Sequence, residues 1–115
     1  MNWLPLIAEQ QLMEAYALSE QTYIKAVVLF KHSTRCSISS MALGRFERSW
    51  KLSETDVPTY FLDLIAHRNL SDKIASLFEI GHESPQVLVI KNGKCIYTAS
   101  HSDISVSAIE TVINS

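Results

Sequence analysis

Apolar residues recur along the chain at two spacings, one typical of helices and the other of strands. From about Glu9 to Ser19, helix-forming residues place Leu12 and Ala15 on one face, which predicts a first helix. Residues 23–31 are rich in β-branched and aromatic side chains, and their centre is continuously apolar, as in a strand covered on both faces. We therefore expect a helix followed by the first central strand.

The middle of the chain repeats this order. After a polar stretch, four apolar residues at helical spacing predict a second helix that ends near Trp50. These residues are Ile38, Met41, Ala42 and Phe46. Ser33 or Thr34 is suited to cap this helix. Residues 58–65 are typical of a second strand, and apolar positions between 70 and 78 predict a third helix that Gly81 can end.

The last third of the chain has a different pattern. Two strand-like runs, residues 86–91 and 94–100, flank Asn92-Gly93, which is a strong hairpin signal. A final helix is expected from residue 102 or 103 to 114. Two strand–helix units, a hairpin and a closing helix predict an α/β protein with a thioredoxin-like fold, in which helices flank both faces of a four-stranded mixed sheet.

Length and composition place this fold in one domain over residues 1–115, since nearly half of the residues are apolar. The formal charge of −2 is spread along the chain, so we expect neither a nucleic-acid nor a membrane partner. The longest wholly apolar stretch, residues 26–30, is too short to span a bilayer, and the chain starts without a signal-like segment. We expect a cytoplasmic protein.

The two cysteines, Cys36 and Cys95, have different neighbourhoods. A reducing compartment disfavours a disulfide between them, and two thiols are too few for a structural zinc site. The four histidines show no ligand-like spacing with them, so no metal is expected. Cys95 lies within the second strand of the hairpin, where a packing role is the better interpretation.

Cys36 directly follows a buried strand and opens an amphipathic helix. Its sulfur is therefore expected beside the free N–H groups of the first turn, where the helix dipole stabilises a thiolate. Arg35 can add to this effect, whereas a buried structural cysteine near a turn is the alternative. Ser39 stands where a dithiol motif would carry its resolving thiol; its hydroxyl can donate a hydrogen bond to the thiolate but cannot displace a mixed disulfide.

Ser84-Pro85 precedes the first strand of the hairpin. Proline there can simply mark an N–H that the sheet does not need. In the thioredoxin fold, however, this is the place of a cis-proline loop that faces the active cysteine, so we expect a cis bond. Thr34, Ser84 and Pro85 are the expected substrate-binding residues. Three histidines could line the rim of the site, although a solvated surface position is the simpler interpretation of each. They are His32, His82 and His101.

Four groups of residues carry a resemblance to a known family. They are Asn2-Trp3 with Pro5-Leu6, the run 30–36 with Ile38-Ser39, the run 82–86, and the run 99–101. Through these motifs the chain resembles, almost from end to end, the monothiol bacilliredoxins of the YtxJ type, which are bacillithiol-system redox proteins. The family's usual motif is Thr-Cys-Pro-Ile-Ser, whereas Arg35 and Ser37 flank the cysteine here. Ser37 frees the first helical φ and adds an N–H and a hydroxyl beside the sulfur.

The resemblance implies a monothiol thiol–disulfide oxidoreductase without a bound cofactor. Its Cys36 would take a low-molecular-weight thiol, bacillithiol, from S-thiolated proteins, with that small thiol as co-substrate. The alternative is a non-catalytic thioredoxin-fold module in general stress or protein interaction, whose cysteine only reports oxidation. The oligomeric state and the choice among small thiols stay open at this point.

Overall fold

The computed structural model describes residues 1–115 and arranges the predicted strands in one mixed sheet. The strands are β1 Leu4–Pro5, β2 Val27–His32, β3 Thr59–Asp63, β4 Gln86–Lys91 and β5 Lys94–Ser100. The helices are α1 Glu9–Ser19, α2 Ser37–Ser49, α3 Arg68–Phe78 and α4 Val106–Ile113, with a 3₁₀ turn at His101–Asp103. None of the helices has the length and apolar character needed to span a bilayer.

The continuously apolar strand β2 lies at the centre of the sheet. The strand order is β1-β3-β2-β4-β5, and all six residues of β2 are buried. It pairs in parallel with β3, where Phe30 lies opposite Phe61, and antiparallel with β4, where Phe30 lies opposite Val87. A strand with neighbours and helices on every side must be apolar on both faces, as its sequence indicates.

Alternate residues of β2 point to two separate cores. Val27 and Leu29 belong to a cluster of 13 buried residues on the face that α1 and α3 cover. Val28 and Phe30 belong to a cluster of 11 buried residues on the face that α2 and α4 cover. The sheet therefore separates two layers of helices, as predicted for the thioredoxin-like fold.

The prediction of four strands is wrong by one, because β1 adds a fifth strand at the edge of the sheet. Leu4 lies opposite Tyr60 and Pro5 opposite Phe61, and the Leu6 N–H donates to the Phe61 carbonyl at 2.9 Å. Two residues, one of them a proline, have no detectable alternation of apolar and polar side chains. Tertiary pairing with the exposed edge of β3 makes this segment a strand.

Two helix boundaries also differ from the sequence-based expectations. Helix α3 ends at Glu79, which adopts the left-handed conformation with φ 56°, and Gly81 lies outside this cap. Helix α4 begins later than expected, because a 3₁₀ turn occupies residues 101–103 and Ser105 caps α4 by accepting the Ala108 N–H at 3.2 Å. Local hydrogen bonds thus set both boundaries.

The hairpin turn forms as predicted and packs against α1. Asn92 and Gly93 both have positive φ, at 53° and 73°, as a two-residue hairpin turn requires. The Asn92 N–H donates to the Ser19 carbonyl at 2.8 Å, and the Gly93 N–H donates to the Ser19 hydroxyl at 3.0 Å. A Cβ at Gly93 would lie 2.6 Å from the Tyr16 hydroxyl oxygen. This turn therefore needs glycine for both its conformation and its space.

Candidate functional site

Cys36 lies where β2 leads into α2, and it is the N-cap residue of that helix. Its backbone is extended, its side chain is half-buried, and its carbonyl accepts the Ser40 N–H at 3.1 Å. The first-turn N–H groups of α2 have no intrahelical acceptors, and the N-cap side chain is the one that stands nearest to them. The structure thus confirms that Cys36 opens this helix, at the position where the helix dipole favours an anion.

Neither Ser33 nor Thr34 caps α2, contrary to the sequence-based expectation. The chain instead forms a turn in which the Cys36 N–H donates to the Ser33 carbonyl at 3.2 Å, and Cys36 takes the N-cap position without a side-chain hydrogen bond. A cysteine is not a preferred cap residue, so sequence preference pointed to the hydroxyl residues before it. The turn moves the sulfur to the helix end.

The two residues before Cys36 and the one after it are exposed. Thr34, Arg35 and Ser37 make no side-chain hydrogen bond or ion pair with the rest of the chain. The Arg35 guanidinium is therefore free to approach either the sulfur or a bound anion. Assignment of Arg35 and Ser37 to thiolate stabilisation, and of Thr34 to substrate binding, stays a prediction.

Ser39 is fully buried under the first turn of α2. Its hydroxyl oxygen accepts the Ser33 N–H at 3.0 Å and lies 2.7 Å from His32 Nδ1. No hydrogen bond joins Ser39 to the Cys36 sulfur in this arrangement. In this structure the Ser39 hydroxyl links the start of α2 to the end of β2. A hydrogen bond from this hydroxyl to a Cys36 thiolate stays a prediction.

His32 is a buried residue and not a solvated surface residue, so that interpretation was wrong for this histidine. Its side chain is 6% exposed, and its ring packs on Phe61 at a centroid distance of 5.5 Å. Burial lowers its pKa, and the charges of Asp63 and Glu47 oppose this shift. The signal was present in the sequence, because His32 continues the alternation that places Val28 and Phe30 under α2.

Trp3 holds α2 in place from the N-terminal segment. Its ring stacks on Phe46 of α2 at 5.7 Å and contacts Phe30 of β2 edge-on at 5.8 Å. Its Nε1–H donates to the Glu47 carboxylate at 2.8 Å. Trp3 thus helps to fix the helix that carries Cys36, a role for which its position in the sequence provided no signal.

The Ser84–Pro85 peptide bond is cis, as predicted. Pro85 is buried and precedes Gln86, which pairs with Lys31, so the loop lies level with the end of β2. The Ser84 hydroxyl oxygen is buried without a hydrogen-bond partner. This loop and the start of α2 therefore lie at the same edge of the sheet, and Ser84 retains an unused polar group there.

A groove of about 300 Å³ runs between α2 and the 3₁₀ turn. It is lined by Ile38, Met41, Ala42, Arg45, His101 and Ser102. Ile38 and Met41 are 55% and 68% exposed, two and five residues after Cys36. His101 is exposed too, its N–H donates to the Pro85 carbonyl at 3.0 Å, and its ring lies 3.6 Å from the Glu83 carboxylate. This apolar surface adjoins the segment that carries the cysteine.

A buried lysine, Lys31, lies on the face of the sheet opposite to that of His32. Lys31 is 1% exposed, and its Nζ lies 3.4 Å from both the Ser71 carbonyl and His82 Nδ1. Burial lowers the pKa of Lys31 to about 8. His82 is exposed, but its ring is held by the Ser71 hydroxyl at 3.1 Å. This cluster supports the loop before Pro85 and was not expected from the sequence.

Cys95 is remote from this site and is not bonded to Cys36. It packs against the core that α1 and α3 cover, and its thiol donates to the Tyr97 carbonyl at 3.3 Å. Burial raises its pKa. These features fit the packing role expected for Cys95, since a buried thiol ionises less readily.

The comparisons with known proteins agree with this geometry. A family model described as "Monothiol bacilliredoxin BrxC" matches residues 5–109. A solved structure described as having a thioredoxin fold and an inferred oxidoreductase activity is 33% identical, covers 95% of this chain and 91% of its own, and has a TM-score of 0.77.

Two thioredoxins share the fold at lower identity. The Malassezia sympodialis thioredoxin is 19% identical with a TM-score of 0.72, over 98% of this chain and 89% of its own. The Fasciola hepatica thioredoxin is 14% identical with a TM-score of 0.70, over 96% and 95%. The fold and the family match support a role in thiol redox chemistry. Because the family model covers nearly all of the sequence, the chain belongs to the monothiol bacilliredoxin family.

Proposed function

We propose that this protein removes a low-molecular-weight thiol, bacillithiol, from mixed disulfides on other proteins, and that Cys36 is its only catalytic thiol. The observation that carries the proposal is the position of Cys36 at the N-cap of α2, half-buried, with Ser39 three residues further on. The helix start supplies free N–H groups to a thiolate, whereas Ser39 supplies no second sulfur.

The reaction consists of two exchanges. The Cys36 thiolate attacks the small thiol's sulfur in the mixed disulfide, the old S–S bond breaks, and the substrate protein leaves as a thiolate that takes up a proton. Cys36 then carries the small thiol. A second small thiol, as its thiolate, attacks the bound small thiol's sulfur, releases the Cys36 thiolate, and leaves as a symmetrical small-thiol disulfide.

Residues around Cys36 have separate parts in this proposal. Arg35 and Ser37 are exposed beside the sulfur and are free to contact the thiolate or the small thiol. Ser84 and Pro85 hold the incoming chain through the backbone of their loop, because the Ser84 hydroxyl oxygen is itself buried. Thr34 lies on the exposed turn before Cys36 and contacts the same substrate. The partners are thus S-thiolated proteins and a small thiol.

The test uses one substrate protein prepared as its mixed disulfide with bacillithiol, with glutathione or with coenzyme A. Each form is mixed with the reduced protein, and intact masses are followed with time. We expect the small thiol to move onto Cys36, fastest from the bacillithiol form. Equal rates for all three forms would remove bacillithiol preference. A cysteine that is alkylated by iodoacetamide but accepts no small thiol would indicate a non-catalytic module instead.

A further inference from the structure

The Ser39 hydroxyl has three hydrogen-bonding positions, namely one proton and two lone pairs. The Ser33 N–H occupies one lone pair at 3.0 Å. His32 Nδ1, at 2.7 Å, either receives the hydroxyl proton or donates its own hydrogen to the second lone pair. In the first case a lone pair of the Ser39 oxygen stays free, and in the second case its proton stays free.

The choice matters for Cys36 because of where Ser39 stands in α2. Cys36 is the N-cap and Ser39 is the third residue of the helix, and side chains at these two positions face each other across the first turn. While His32 Nδ1 accepts the hydroxyl proton, Ser39 can present only a lone pair to the sulfur. Once Nδ1 carries hydrogen, both lone pairs are occupied and the hydroxyl proton is free to point at the sulfur.

We propose that His32 is a positioning residue for Cys36 that acts through Ser39: Nδ1 accepts the hydroxyl hydrogen bond while Cys36 is a thiol, and Nδ1 carries a proton when Cys36 is a thiolate, so that the Ser39 hydroxyl then donates to the sulfur. The inference rests on the proposed function, since it concerns the same cysteine. The thiol proton moves to the Ser39 oxygen as the hydroxyl's own proton moves to Nδ1. Thiol and neutral imidazole become thiolate and imidazolium, and no proton leaves the three groups.

The surroundings of His32 act on both of its states. Burial lowers its pKa, which favours the neutral ring and its acceptor lone pair while Cys36 is a thiol. The carboxylates of Asp63 on β3 and Glu47 on α2 face the ring and favour the imidazolium once it forms. Phe61 packs on the ring, which limits its rotation and keeps Nδ1 near Ser39.

The first experiment reads the ring directly. Nitrogen chemical shifts of the His32 imidazole are followed against pH in the wild-type protein and in Cys36→Ser, which both retain His32 and Ser39. We expect Nδ1 of His32 to keep its proton to a higher pH in the wild type than in Cys36→Ser, because only the wild type forms a thiolate that stabilises the imidazolium. Identical His32 titrations in the two proteins would overturn the proposal.

The second experiment measures iodoacetamide alkylation of Cys36 against pH in Ser39→Ala and in His32→Asn. A charge-assisted hydrogen bond to the thiolate changes its population by about tenfold or more, and the compensating change in nucleophilicity returns part of this. We therefore expect alkylation near neutral pH to fall roughly threefold to tenfold in Ser39→Ala. The Asn side chain in His32→Asn can still bond to Ser39 but cannot titrate. The dependence of its alkylation rate on pH should therefore lack the part caused by titration of His32.

His67→Asn is the matched control, because His67 starts α3 and makes no side-chain cap bond. Its alkylation profile should equal that of the wild type. Profiles of Ser39→Ala and His32→Asn within twofold of the wild type would also overturn the proposal. Alkylation uses no mixed disulfide, so an altered profile in a protein that removes no small thiol would disprove the proposed function alone. Normal removal with unaltered profiles would disprove the role of His32 alone.

Discussion

Cys36 and Cys95 lie at opposite ends of the sheet and on opposite faces of it. Cys36 lies four residues beyond His32, the last residue of β2, whereas Cys95 lies opposite Ile90, which pairs with Val27 at the start of β2. Six residues of strand span roughly 17 Å from first to last Cα. Because a disulfide needs Cα atoms within about 7 Å, these two thiols cannot pair in this fold.

Replacing Cys36 with Ser should abolish transfer of the small thiol, because a hydroxyl does not form the mixed disulfide. Cys95→Ser should leave the transfer rate within about twofold of the wild type and lower the free energy of unfolding by about 1 kcal/mol, since Cys95 is partly buried in a core. Mass spectrometry of samples quenched at successive times measures the transfer rate, and urea unfolding measures the free energy of unfolding. A folded Cys95→Ser protein that transfers no small thiol would show that Cys95 resolves the intermediate.

The oxidised protein should rest as a mixed disulfide and not as an internal disulfide. We expect one small-thiol adduct per chain, located on Cys36 by peptide mapping, when the protein meets an oxidised small thiol. Discharge of the adduct should increase with the concentration of added small thiol, because the second attack is intermolecular. A peptide that links Cys36 to Cys95, or a discharge rate independent of the small thiol, would contradict this cycle.

Lys31 should make the stability of the fold depend on alkaline pH. Its pKa is about 8 in the folded chain and about 10.4 in an unfolded one, so the unfolded chain binds more protons between these values. Stability contributed by this residue therefore increases as pH rises from about 8 to about 10.4, and the burial cost is full below about pH 8.

Lys31→Met should thus raise the free energy of unfolding near pH 7, on the order of 2 kcal/mol, and this gain should shrink toward pH 10. Urea unfolding of the variant and the wild type at several pH values gives the difference. Lys94→Met, at an exposed position of β5, is the control and should show no such trend. A gain that stays constant with pH would mean that packing alone causes it.

Gly93→Ala should destabilise the protein by about 1–3 kcal/mol. The residue needs a φ of 73°, and the new Cβ would meet Tyr16, whose ring stacks on Phe78 at a centroid distance of 6.2 Å and has little room to move. Gly81→Ala is the matched control, because no atom lies within 4 Å of its new Cβ and its φ is not positive. Thermal unfolding should separate the two, and equal midpoints would contradict the argument.

Hydrophobic periodicity predicted the long elements well, and it failed where a contact distant in sequence decides the structure. The bounds of α1 and of both hairpin strands agree with the sequence-based ranges, because their apolar spacing and the Asn92-Gly93 turn are local signals. Strand β1 has no such signal, since two residues become a strand only by pairing with β3. The cap at Glu79 is different, because it rests on a local bond from the Ile80 N–H to the Ala75 carbonyl, and a left-handed glutamate is not what residue preference predicts there.

For the site, the sequence by itself determined that Cys36 stands at a helix start, that no second thiol follows three residues later, and that a proline precedes β4. These are statements about neighbours along the chain, which local patterns encode. Only the tertiary structure decided that Ser39 bonds to His32, that Lys31 is buried beside His82, and that Cys95 is out of reach. The physical reason is that these hydrogen bonds and this burial depend on which faces of distant helices and strands pack together. The spacing of apolar residues along the sequence does not specify that packing.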